Sequence, residues 1–228
     1  MGVSAGSRGS TGSKHELRRL QTRAKLMNAG QQVMGEKGID ATTIADITER
    51  AGVGFGSFYN HFESQQHLAK EIFLALTEQL GQFAVSIEKQ IPDHALALAY
   101  IGRAYMTLAE LNPMWGRFMA HAENFFPQVE TILNTRGRRH IGDGIKSGRL
   151  KASKPFVANA LVLACFVEII RMTVEHQRPK SERMEALEMV LRMFGIDKDE
   201  ASEFVRAPWP ADLKKSLNSM GNIDFLSV

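Results

Sequence analysis

TIADITERAGVGFGSFYNHF, residues 43–62 of a 228-residue chain, holds two short segments with helical spacing around a glycine-bearing turn. In the first segment Ile44, Ile47 and Ala51 share one face of a helix. Thr43 stands before it and Asp46 comes three residues later, which resembles a capping box with Asp in the place of Glu. Gly52 ends this helix, Val53 and Gly54 complete a tight turn, and a second short helix is predicted over 55–62. Two short helices joined by such a turn describe a helix-turn-helix. When this motif binds DNA, its second helix lies in the major groove and the N-terminal residues of that helix meet base edges. Those residues here are Gly54, Phe55, Gly56 and Ser57. The glycines leave little bulk, Ser57 can donate or accept, and the best partner for Phe55 is a thymine methyl group. Tyr59, Asn60 and His61 stand where they reach phosphates, which position a protein without reading sequence. Shape alone leaves open a pair of packed helices that never touches DNA, with Phe55 as core.

Outward from this stretch, every segment reads as helix. A first helix is expected over 16–37, with Leu26, Met27, Gly30, Val33 and Met34 on one stripe and Gly38 as the residue after its end. Ser64 caps a long helix that repeats Leu68, Ile72, Leu76, Leu80, Phe83 and Ile87. Pro92 opens another, with Ala97, Ile101, Ala104, Tyr105 and Leu108, broken by Asn112-Pro113. Residues 114–126 are rich in aromatic and Met side chains, and Pro127 opens a helix to about residue 147. The segment 153–176 is apolar almost all round, as for a helix buried on several sides. Met184, Leu187, Val190, Leu191 and Phe194 make a one-sided helix closed by Gly195, and Pro208 and Pro210 mark the start of an irregular tail. Alternating Val/Ile/Thr runs are missing, so the fold class is all-α.

Net charge is +3, and its placement is uneven. Residues 1–25 carry Arg8, Lys14, Arg18, Arg19, Arg23 and Lys25 against Glu16 alone, a basic arm suited to a polyanion or simply a solvated leader. Cys165 is the single cysteine, which excludes an intrachain disulfide and fits a reducing compartment. The Gly/Ser-rich N-terminus lacks the apolar segment of a signal peptide. The stretch 156–172 is interrupted by Asn159 and Glu168 and falls short of a span of about 20 residues. A cytoplasmic protein with no membrane partner is expected. Two rival classes are an enzyme and a helical protein-interaction module without DNA readout. Neither a phosphate-binding glycine loop nor metal-ligand spacing supports the enzyme, so no catalytic residue, metal or cofactor is expected.

The pattern Arg23-(x)2-Leu26-(x)2-Ala29, Gly38, 42–47, 51–54, 56–62 and Ser64-(x)3-Leu68 resembles the N-terminal domain of TetR/AcrR-family transcriptional regulators. It covers about residues 19–70. The resemblance implies an N-terminal three-helix helix-turn-helix DNA-binding domain over 15–70. It also implies a larger C-terminal helical ligand-binding and dimerisation domain over 71–205, between a disordered leader (1–14) and a C-terminal tail (206–228). It carries DNA-contact roles to Arg23, to the Thr42-Thr43 pair, to residues 54–57, and to Tyr59 and His61, while Phe58 and Phe62 are expected to pack inward. Two positions depart from the pattern. Gln65 stands where a lysine commonly succeeds the serine cap, so the salt dependence of binding should be shallower by about one counterion. Gly54 replaces the usual Ser or Thr and weakens that cap by a few tenths of a kcal/mol.

The resemblance further implies a homodimer through about 154–177 and 182–195, placing two reading heads on a pseudo-palindromic operator. A small, largely apolar effector would release this repressor by shifting the population between two dimer conformations. The expected lining is Tyr105, Leu108, Trp115, Phe118, Met119, His121 and Phe125, with Asn124 as a further polar group and Cys165, Phe166 and Ile170 opposite. The basic cluster Arg136, Arg138, Arg139 and His140, with Lys146 and Arg149 beyond, is read as a solvated face, the alternative being attraction of an anionic ligand.

Overall fold

The computed structural model describes residues 10–125, 132–221 and 225, with side chains over 14–122, 133–221 and 225. Among these residues the chain forms helices and no strand: α1 (Ser10–Lys37), α2 (Ile44–Ala51), α3 (Phe55–Tyr59), α4 (Gln65–Gln90), α5 (His94–Leu111) and α6 (Pro113–Phe125), then α7 (Ile132–Lys146), α8 (Pro155–Val174), α9 (Lys180–Met193), α10 (Lys198–Arg206) and α11 (Ala211–Gly221).

Helix starts obey local chemistry. The Thr43 hydroxyl accepts from the Asp46 N–H at 3.2 Å, and the Asp46 carboxylate accepts from the Thr43 N–H at 3.0 Å, a closed capping box. Ser64 caps α4 through the His67 N–H, and Asp93 caps α5 through the Ala95 and Leu96 N–H groups. Gly52 takes a left-handed conformation (φ 64°) that ends α2 and turns the chain into α3. Pro155 fits the first turn of α8, where its missing N–H costs nothing.

α1, α2 and α3 form the reading head around Leu26, Met34, Ile39, Ile47, Phe58 and Phe62, all buried. The head is joined to the body in three ways. α4 runs out of it as a single rod. α6 lies against α1 so closely that a Cβ at Gly35 would stand 2.7 Å from the Met114 carbonyl oxygen. Lastly, the buried Phe225 donates its N–H to the Asn28 Oδ1 on α1, at 3.0 Å.

Three expectations change. Helix α1 begins at Ser10 rather than near residue 16, so residues 10–14 are helical and not part of a disordered leader; residues 1–9 lie outside the described residues. The second helix of the motif ends at Tyr59, not Phe62. Residues 207–221 of the expected tail are ordered: Leu213 and Leu217 of α11 are buried, the Tyr100 hydroxyl donates to the Pro208 carbonyl at 2.7 Å, and Arg103 lies over both Tyr100 and Trp209; residues 222–224 and 226–228 lie outside the described residues. Pro208 and Pro210 set the turn before α11, and burial of the apolar stripe beyond them makes that segment a helix.

Helix α8 is long and apolar enough to cross a membrane by length and composition alone. In the fold one side of it packs into the core through Ala158, Val162, Phe166, Ile169 and Ile170. Its other side is open, with Phe156 65% exposed and Val157 and Leu161 about half so. On the neighbouring α9, Met189 and Met193 are open as well.

Candidate nucleic-acid interface and effector cavity

The outer surface of α3 is built by its inner one. Phe58 and Phe62 are wholly buried, with their rings 5.8 Å apart, and they anchor the helix to the head. This leaves Gly54, Phe55, Gly56, Tyr59 and Asn60 facing outward and Ser57 half-covered. Phe55 is 54% exposed, and its ring meets that of Tyr59 edge to face, at 5.8 Å between ring centres. Gly54 has φ −68°, a conformation open to any residue, and a Cβ at Gly56 would meet nothing within 4 Å. Neither backbone strain nor internal packing requires these two glycines.

Other residues of the expected interface have internal roles. The Thr42 hydroxyl is buried and donates to the Gly38 carbonyl at 2.7 Å, which leaves Thr43 as the exposed member of the pair. The Arg23 guanidinium holds Glu71 of α4 at 2.6 Å and stacks on Phe62, tying α1 to α4. The Gln65 amide donates to the Ile39 carbonyl and braces the loop before α2. His61 is half-buried, and its Nδ1 has no hydrogen-bond partner among the described residues; burial, and then the nearby Arg19 and Arg23 charges, push its pKa below the usual histidine value. Asp46 is held down at about 2, first by its hydrogen bond from Lys37 at 2.7 Å and then by Thr43.

The body contains a cavity of about 40 Å³ walled by four helices: α4 (Gly81, Ala84, Glu88), α5 (Leu98, Ile101, Tyr105), α7 (Arg136, Gly137, His140) and α8 (Asn159, Val162, Phe166). Of the expected lining residues, Tyr105 and Phe166 are here, their rings 5.0 Å apart. Trp115, Phe118 and Met119 are buried core on α6, and Leu108 and Ile170 are buried away from the cavity wall. Cys165 is partly buried outside the wall, where burial pushes its thiol pKa up. His121 sets Nδ1 3.3 Å from the Met34 carbonyl of α1 and so joins α6 to the reading head. The Phe125 and Asn124 side chains lie outside the described residues.

The basic cluster divides. Arg139 and Lys146 are solvated, as expected, with side chains 62% and 82% exposed. Arg149 instead bridges Asp93 at 2.8 Å and Glu200 at 2.6 Å. Arg136 and His140, four residues apart on α7, turn inward to the cavity. His140 is buried, with Nε2 3.0 Å from the His94 carbonyl oxygen and Nδ1 3.3 Å from Glu88. The spacing of these two residues was the signal in the sequence. Small residues opposite them on α4, Gly81 and Ala84, supply the room.

A capped helix-turn-helix with an open, small-residue N-terminal face, carried on a helical body with its own cavity, defines a ligand-responsive DNA-binding transcriptional regulator. Residues 26–72 match the family of bacterial regulatory proteins of the tetR type, and residues 90–207 match the tetracyclin repressor-like C-terminal domain. The chain belongs to the TetR family. It is 39% identical over 173 residues to the HTH-type transcriptional repressor DhaR of Mycobacterium sp. strain GP1, covering 71% of this chain and 87% of that one. It is 29% identical over 84 residues to the repressor KstR2 of Rhodococcus jostii strain RHA1, covering 36% of this chain and 41% of that one. The crystal structure of RolR in complex with the ligand resorcinol superposes with a TM-score of 0.66 at 28% identity, covering 85% of this chain and 97% of that one.

Proposed function

We propose that this regulator is a homodimeric, cytoplasmic repressor that a small, largely apolar ligand releases from a pseudo-palindromic operator. The observation that carries the DNA reading is the outward face of α3, where an exposed Phe55 is flanked by two glycines that nothing inside the protein requires. Residues 54–57 would face base edges, with Thr43, Tyr59, Asn60 and His61 toward phosphates. Arg23 and Gln65 would reach phosphate by exchanging the internal partners they hold here. The open apolar strip of Phe156, Val157 and Leu161 on α8, beside Met189 and Met193 on α9, supports a two-fold interface with a second copy. Such a dimer would set two α3 helices on half-sites about 34–36 Å apart. The α4–α5–α7–α8 cavity would hold the effector, and the similarity to RolR supports a ligand in this domain. Its small volume means that an occupant must spread the four helices, and α4 carries such a shift into the head.

The test is a footprint and salt-titrated gel shift on the DNA upstream of the gene. Substituting Phe55 or Ser57 should change which sequences are preferred, whereas Tyr59→Phe should weaken all of them alike. Equal effects from both kinds of change would overturn the division of roles, and no sequence-selective shift would overturn the reading.

A further inference from the structure

We infer that the effector of this cavity is a small single-ring aromatic acid whose carboxylate is held by Arg136, an assignment that rests on the cavity being the effector site. The Arg136 Nη1 is shielded from solvent and has no hydrogen-bond partner among the described residues. Three-quarters of the side chain is covered. Its Nη2 comes no closer than 3.9 Å to Glu78, a half-exposed glutamate on α4. The one carboxylate on the cavity wall, Glu88, is already faced by His140 at 3.3 Å and by Arg139 at 4.0 Å. Glu88 is thus faced by two basic side chains, whereas Arg136 has only the long contact to the half-exposed Glu78 and keeps a buried Nη1 with no acceptor among the described residues. A ligand carboxylate would supply the missing acceptor, and a charge-assisted bond to guanidinium is about twice as strong as a neutral one.

The remaining wall sets the body of the ligand. Leu98, Ile101 and Val162 are apolar, and the tilted Tyr105 and Phe166 rings offer flat faces. On its α5 side the Phe166 ring packs closely on Gly102, where an added Cβ would lie 2.8 Å from it. An engineered apolar cavity of about 150 Å³ takes one benzene ring. From about 40 Å³, a single ring demands opening already, and fused rings demand far more.

The experiment uses the full-length protein with three probes, benzoate, benzamide and resorcinol, by titration calorimetry. Benzoate is expected to bind at least about tenfold more tightly than its neutral isostere benzamide. Arg136→Gln should erase that preference, and Arg136→Lys should keep part of it. Val162→Trp, which fills the cavity, should abolish binding of all three. If benzamide or resorcinol binds as well as benzoate and Val162→Trp blocks them, the cavity reading stands and the acid assignment falls. If benzoate binds the Val162→Trp protein unchanged, the cavity reading itself falls and takes the assignment with it. Failure of all three probes to bind likewise overturns the assignment. Unaltered circular dichroism of the variants separates these results from misfolding.

Discussion

The reading head and the four-helix cavity are built by opposite means. In the helix-turn-helix, the caps, the turn and the aromatic anchor join residues close in sequence: Thr43 with Asp46, Gly52 with Glu49, Phe58 with Phe62. In the cavity, the neighbours come from four helices spread between Gly81 and Phe166. Local contacts leave a signature in consecutive residues, and a concave site assembled from distant helices leaves almost none. The difference also reaches chemistry. The head shows its surface through what it lacks, side chains at Gly54 and Gly56, whereas the cavity shows itself through an excess, a buried Arg136 Nη1 with no hydrogen-bond partner among the described residues.

The largest expected effect tests whether the two regions are separable. Phe58 is wholly buried at the centre of the head. Phe58→Ala should cost the head about 3–5 kcal/mol and abolish specific DNA binding. Hydrogen exchange should show protection lost in α2 and α3 and kept in α5, α7 and α8. Protection lost throughout would make head and body one cooperative unit and break the comparison.

A second substitution sharpens it. At Gly56 an added methyl group meets open space, and alanine is the better helix former by up to about 1 kcal/mol. Gly56→Ala should leave the melting temperature unchanged or slightly raised while operator affinity falls. Stability and function then move in opposite directions at one atom, which has no counterpart in the core of the body. Undiminished affinity would mean that DNA does not approach this glycine.

Acid should reach the head first through Asp46, with Glu36, held below its ordinary value by its hydrogen bond from Arg50, as a second group. The Asp46 pKa lies at about 2 in the folded chain, below the usual aspartate value of 3.8, because Lys37 and Thr43 bond its charged form. A depressed folded value contributes stability that is complete above about pH 4 and is lost as the pH falls toward 2. Asp46→Asn should flatten the stability profile in that window and leave the slope above pH 5 unchanged, as read by denaturant melts at each pH. A wild-type acid limb in the variant would remove Asp46 from the cause.

Legibility in the sequence splits along the same line. The helix-turn-helix, its capping box and its buried Phe58 and Phe62 stand in consecutive residues and can be read directly, as can the apolar stripes of α4 and α9; α8, apolar almost all round, packs one side into the core and leaves Phe156, Val157 and Leu161 open. The cavity lies one helix layer away from its expected place. Trp115, Phe118 and Met119 are rich in area, and area is what a core also uses, so their abundance on α6 could not separate lining from filling. The cavity instead lies where side chains are small, at Gly81, Ala84 and Gly137, with polar groups four residues apart on α7. Absence of bulk has no periodicity to detect until the facing helix is known. The same holds for Gln65 and Arg23, whose internal partners, Ile39 and Glu71, sit 26 and 48 residues away.

The smallest expected effect concerns that Gln65. Its amide is occupied with the Ile39 carbonyl, at the point where the family pattern commonly carries lysine. Gln65→Lys adds one cation at the start of α4, beside the α3 surface. If that charge faces phosphate, the slope of log affinity against log salt steepens by about one, and affinity rises at low salt more than at high salt. An ammonium can also take over the bond to Ile39, as a compact donor on a flexible stem. In that case the slope stays as it is, and the residue serves the fold of the head rather than its grip on DNA. A salt titration of the two proteins therefore tells whether this position belongs to the head's inner bracing or to its outer face.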